Sequence, residues 1–213
     1  MENAISGSAG VAARIAAATA TRRRRPDYPT EVRALLDAAQ KVIAETGRAR
    51  VADVVAEAGL SNDAFYRHFP TKDALVAALV EEGAERIAVA VARRMARQPS
   101  PEAKVRCWLE AMLGQADESR ARPTLAVLGA SNNFNTAIPT GDHVIRVPLA
   151  ELLHEPFAAL GSLKPALAAE LATHAILSRV SGHIWAGTTP STDEVEYLLD
   201  FCVSTALMRR GLT

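Results

Sequence analysis

Gly59-Leu60-Ser61, followed by Asn62-Asp63-Ala64-Phe65-Tyr66-Arg67-His68-Phe69-Pro70-Thr71-Lys72, decides the reading of this 213-residue chain. A glycine ends a helix by taking the left-handed backbone, and a serine starts one by accepting a hydrogen bond from a backbone N–H. Three residues therefore leave room for a tight turn and nothing more. Beyond the turn, Phe65 and Phe69 stand four apart, which puts both rings on one inner helical face until Pro70 stops the helix. Upstream, Val51, Val54, Val55 and Ala58 mark a short helix ending at Gly59. Before it, Val32, Leu35, Leu36, Ala39, Val42 and Ile43 mark a longer one closed by Gly47. Two short helices joined by a three-residue turn, preceded by a third, make a helix-turn-helix.

With Phe65 and Phe69 inward, Asn62, Asp63, Tyr66, Arg67 and His68 fall on other faces, and Lys72 begins the next helix, where unpaired N–H groups favour an anion. Polar side chains on an outward helix face, with phosphate donors beside them, suit a major groove. The charge distribution agrees. Arg22–Lys72 carries 10 basic and 7 acidic residues and Asp73–Thr213 carries 13 and 16, so a front segment at +3 leads a body at −3 in a chain of zero net charge.

The rest of the chain reads as helices without a strand-like alternation. Thr71 caps a long helix through Leu75, Val76, Leu79, Val80 and Ile87 toward Arg94, and Ser100-Pro101 opens another with Val105, Trp108, Leu109, Met112 and Leu113 as its apolar stripe. Shorter helical material follows Pro123, and Ser131–Gly141 reads as a polar loop. Asp142–Leu160 is helical in pattern, with Pro148 and Pro156 expected to kink or interrupt it. Pro165–Ala186 is a long helix, and Ser191 to Glu194 has the spacing of a capping box that begins the last one. The fold class is all-α.

Two cysteines, Cys107 and Cys202, without a C-x-x-C pair fit a reducing cytoplasm. The basic run Arg22–Arg25 follows an apolar stretch instead of preceding it, so residues 1–27 read as a disordered basic tail and not as a signal peptide. Arg22–Arg25 either follows a minor groove or is a solvated tail. No stretch approaches the ~20 apolar residues of a membrane span. His143, His154, His174 and His183 lack i, i+4 pairing and cysteine partners, which argues against a metal site. No G-x-S-x-G, phosphate-cradling glycine loop or dinucleotide fingerprint occurs, so neither a catalytic residue nor a cofactor is expected.

Val32–Gly83, with the Gly59-Leu60-Ser61 turn and the run from Phe65 to Leu75, resembles the DNA-binding domain of the TetR family of transcriptional regulators. The resemblance implies a three-helix helix-turn-helix DNA-binding domain over residues 28–74 and a helical ligand-binding and dimerisation domain over 75–213. It implies that Tyr66 and Lys72, and more weakly His68, grip phosphates, while Asn62, Asp63, Ala64 and Arg67 read bases after the capping Ser61. Two departures from the family pattern stand out. Val55 occupies a position where an alanine is usual, and Arg50 stands where a phosphate-binding threonine or serine is common, which makes Arg50 an alternative phosphate contact. Asp63 either accepts from a cytosine N4 or stabilises the positive end of its helix.

For the larger domain the resemblance implies a ligand pocket and dimerisation through the last two helices. Trp108, Met112, Phe134, Leu149, Leu153, His174 and Trp185 are the bulky groups expected to line a mostly apolar pocket. Ala168, Ala172, Ala175, Ser178 and Gly182 place small side chains along the penultimate helix, where a partner helix is expected to approach. The resulting expectation is a ligand-responsive repressor that binds a palindromic operator in double-stranded DNA as a homodimer and is released by a small apolar effector. The alternative is a helical ligand-binding or enzymatic protein with a vestigial helix-turn-helix.

Overall fold

The structure, a computed structural model, describes residues 28–130 and 134–207, and at 128–129 and 134–144 it describes the backbone alone. The Arg22–Arg25 run lies outside the described residues. Those that are described form helices α1 (Tyr28–Thr46), α2 (Val51–Ala58), α3 (Asn62–His68), α4 (Lys72–Met95), α5 (Pro101–Leu113), α6 (Glu118–Gly129), α7 (Phe134–Ala159), α8 (Pro165–Ala186) and α9 (Thr192–Ala206), with a single 3-10 turn at Gly114–Ala116. The all-α class is therefore observed.

The chain divides into two compact units, residues 1–86 with 123–142, and residues 87–122 with 143–213. The helix-turn-helix segment 28–74 lies whole inside the first unit. That unit's core is built by Val32, Leu35, Leu36, Ala39 and Ile43 of α1, Val54 of α2, Phe65 of α3, Phe69, and Leu75, Val76 and Leu79 of α4. In the second unit the core gathers Val105, Trp108, Leu109 and Met112 of α5, Leu149, Leu153 and Phe157 of α7, Ala169, Ala172 and Ile176 of α8, and Cys202 of α9. The Trp108 indole N–H donates to the Leu149 carbonyl at 3.0 Å, so this large ring is buried without stranding its one donor. Both cysteines are free and buried, and burial pushes the Cys202 thiol up to about 12, well away from a reactive thiolate.

Helix starts follow the expected chemistry. Ser61, Ser100 and Ser191 each accept from the backbone N–H three residues on, at 3.1, 3.1 and 3.2 Å. The capping box at Ser191 is only half closed, because the Glu194 side chain turns to Arg179 and His183 of α8 instead of returning to the cap.

Two expectations are corrected here. The polar loop over Ser131–Gly141 is helical from Phe134, and α7 runs through Pro148 and Pro156 without a break. A proline removes one N–H and crowds one carbonyl of the preceding turn, a local cost of about 3 kcal/mol. Leu149, Leu153 and Phe157, spaced at i, i+4 and i+8 and all buried, offset that cost by holding one face of α7 in the core.

Candidate nucleic-acid interface

The turn between α2 and α3 is made by backbone chemistry. Gly59 takes φ 65°, ψ 30°, and the Leu60 N–H reaches back to the Val55 carbonyl at 2.9 Å, so the last carbonyls of α2 are satisfied while the chain reverses. Ser61 in extended backbone then caps α3. Val55, the departure from the family pattern, is buried without disturbing this arrangement. Phe65 and Phe69 pack with centroids 5.8 Å apart and fix α3 against the rest of the unit.

That anchoring decides which side chains α3 presents. Ser61, Asn62 and Asp63 are exposed, Tyr66 is 57% exposed, and Arg67 and Lys72 are half-buried. Arg50, the residue before α2, is exposed and makes no side-chain cap. Edge-to-face packing on Phe65, with centroids 5.2 Å apart, steadies the Tyr66 ring while leaving it in solvent. The arrangement offers a hydroxyl, an amide, a guanidinium and an ammonium from one short stretch, a donor set suited to phosphates and base edges.

Two expected contacts are not presented by this surface. Ala64 is buried, because it shares the inner face with Phe65, and a methyl there cannot touch a base. The His68 ring is likewise enclosed, with Nε2 donating to Glu31 Oε2 at 2.7 Å and Tyr28 packed edge-on, so it does not reach a phosphate. Sequence spacing hid both. Position 68 lies three residues from Phe65, where a polar side chain is turned inward if an acceptor waits, and Glu31 of α1 supplies one 37 residues away.

The sequence profile of bacterial regulatory proteins of the TetR family matches residues 35–79, covering α1 from Leu35 on, α2, α3 and the start of α4. The match identifies the helix-turn-helix as a DNA-binding domain of the TetR type. Solved structures with a similar fold include a transcriptional regulator from Rhodococcus sp. Rha1, at 23% identity and TM-score 0.57 over 83% of this chain and 95% of that one. The fatty acid degradation regulator FadR from Bacillus halodurans is 20% identical, with TM-score 0.51 over 84% and 98% of the two chains. A transcriptional regulator FadR from Bacillus subtilis, solved in complex with stearoyl-CoA, is 18% identical, with TM-score 0.52 over 84% and 98%. Comparison with curated protein sequences finds no significant match.

The second unit sorts the expected pocket residues into two groups. Trp108, Met112, Leu149 and Leu153 come together, each at most 2% exposed in the core. His174 and Trp185 do not join them. The imidazole of His174 is exposed and its Nδ1 lies 2.9 Å from Arg146 Nη1, while Trp185 is 60% exposed on α8. The Phe134 side chain lies outside the described residues. Helical spacing separates the groups, since Ala169, Ala172, Ile176 and Val180 define the buried stripe of α8 and residues 174 and 185 fall off it. The small residues divide too. Ala168 and Ala172 are buried inside the unit, so they close α8 onto its own neighbours, whereas Ser178 and Gly182 are exposed on the same side as Leu171 and Trp185. Among the described residues, no group of three or more metal-ligating side chains converges, and no helix is long and apolar enough to cross a membrane.

Proposed function

We propose that the protein is a transcriptional regulator of the TetR family, a repressor which binds a palindromic operator as a homodimer and is released when a small apolar effector occupies its second unit. The observation that carries the DNA half is the face of α3, where Tyr66 stands exposed beside Arg67 and Lys72 on a helix locked from behind by Phe65 and Phe69. Tyr66 and Lys72 are assigned to phosphates. Asn62, Asp63 and Arg67 are assigned to base edges, with Arg50 as a further backbone contact. Two such helices must lie roughly 34 to 36 Å apart to read both half-sites, which makes a symmetric pair the working form.

Support for the pair comes from the last two helices, where Leu167, Leu171 and Trp185 of α8 and Tyr197 and Phe201 of α9 are large, apolar and exposed. A band of this kind marks an interface. An effector releases DNA only by binding one spacing of the recognition helices better than the other. Its apolar character rests on the buried cluster around Trp108 and Leu153, with the stearoyl-CoA complex of the Bacillus subtilis FadR as a precedent in the same fold.

Gel-shift titration with the duplex upstream of the regulator's own gene tests this reading. The Tyr66→Ala, Lys72→Ala double variant is expected to weaken binding to every sequence and to flatten the salt dependence by about 0.9 per lost ionic contact. Unchanged affinity and salt slope would overturn the assignment.

A further inference from the structure

Four side chains close a ring between the start of α1 and the end of α3. Tyr28 and His68 meet edge to face with centroids 5.1 Å apart. His68 Nε2 donates to Glu31 Oε2 at 2.7 Å, and the same oxygen lies 3.8 Å from Arg67 Nη1. The guanidinium carbon of Arg67 in turn stands 5.9 Å from the Tyr28 ring centroid, within cation–π range.

The chemistry of each link follows from burial. The His68 side chain is wholly buried and its Nδ1 has no partner. A carboxylate only accepts, so Nε2 is the donor in this bond. Glu31 is therefore gripped by a donor that cannot move, and its charge faces Arg67. The guanidinium itself is partly open to solvent, at 29% side-chain exposure, on the helix that meets DNA.

We propose that Glu31 is a specificity-determining positioning residue, which holds the Arg67 guanidinium against Tyr28 so that it is not free to grip whichever phosphate passes. An unpaired arginine at a groove edge bonds phosphate of any sequence. A paired one must exchange Glu31 for its new acceptor, and the exchange is favourable only where register brings a bidentate base edge within reach. The inference rests on the DNA-binding reading above.

The test is a cycle built from Glu31→Gln and Arg67→Ala. Glutamine is nearly isosteric and its Oε1 still accepts from His68, so the fold is retained while the charge that holds Arg67 is gone. Binding is measured on a duplex of random sequence, across a salt series, and by selection from a randomised duplex library. E31Q is expected to bind the random duplex about threefold more tightly per half-site, with a salt slope steeper by about 0.9 per chain and a less sharply defined selected motif. On the R67A background the same change is expected to gain nothing. Glu31→Asp, which keeps the charge and shortens the arm, is expected to show part of the gain.

A gain that persists without Arg67 would mean that the carboxylate simply repels DNA, and would overturn the positioning role. So would E31Q behaving as wild type, or losing affinity for all duplexes along with melting temperature. A wild-type chain that binds no duplex at low salt overturns the DNA-binding reading itself, which separates the two failures.

Discussion

The two units solve the same packing problem and expose opposite surfaces. Each has a core of aliphatic side chains around large rings, Phe65 and Phe69 in the first and Trp108 and Phe157 in the second, all of them at most 2% exposed. Among the described residues, the first unit exposes one large apolar side chain, Tyr66, whose hydroxyl gives it a polar tip. The second exposes a run of them along α8 and α9. A surface built to meet a hydrated polyanion keeps its apolar groups inside, whereas one built to meet another apolar surface leaves them out. Helical content alone does not distinguish the two; what each helix leaves uncovered does.

The comparison is broken most severely through the cores. Phe65→Ala and Trp108→Ala each remove a fully buried ring and are expected to cost about 3 to 5 kcal/mol in denaturant unfolding followed by circular dichroism. Phe65→Ala is expected to abolish DNA binding. Trp108→Ala also strips the Leu149 carbonyl of its indole donor, so a loss well below that range would mean that the second unit is loosely packed. A smaller effect on stability is expected at the apolar band. Leu171→Glu with Phe201→Glu should leave helicity unchanged, convert the proposed pair to single chains in sedimentation, and weaken binding to the proposed two-half-site operator by at least about tenfold, since one half-site then binds without the other. A double variant that still sediments as a pair would remove the proposed interface.

The subtlest contrast is in pH dependence, because one carboxylate in each unit is displaced in opposite directions. Burial raises the Glu82 carboxyl above the ordinary 4.5, against the pull of Arg33, whose Nη1 and Nη2 both reach Glu82 Oε1 at 2.7 Å. Glu194 is lowered below 4.5 by hydrogen bonds from Arg179 first and His183 second. The folded chain therefore holds the Glu82 proton more tightly than the unfolded chain does, and acidification from neutral pH toward 4.5 removes a penalty and adds stability. For Glu194 the contribution is complete above 4.5 and is lost as pH falls through its depressed folded value. Urea midpoints measured from neutral pH to about pH 3 should rise and then fall, with Glu82→Gln removing the rise and Glu194→Gln softening the fall.

The helix-turn-helix was legible because its information is local. Gly59, Ser61 and Thr71 each act on backbone within four residues, and every one of those hydrogen bonds is present. What escaped was non-local. His68 reads as a donor to phosphate because nothing near it reveals Glu31, and Ala64 reads as part of the base-reading face because a methyl belongs equally well inside or outside. In the second unit, Pro148 and Pro156 were read by their local cost, which the packing of Leu149, Leu153 and Phe157 overrides. The stripe of small residues on α8 had the right spacing for close approach but not the identity of the helix approaching it. Ala168 and Ala172 serve the chain's own core, and the outward face belongs to Leu171 and Trp185.

The placing of the two indoles gives the protein a built-in optical reporter. Both tryptophans of the chain lie in the second unit, Trp108 in a dry core and Trp185 in water. Intrinsic emission excited at the red edge of absorbance therefore tracks that unit and is blind to unfolding confined to the helix-turn-helix. Iodide should quench the long-wavelength component of Trp185 and spare the short-wavelength one of Trp108, and shielding of the former at high protein concentration would signal that α8 has been covered.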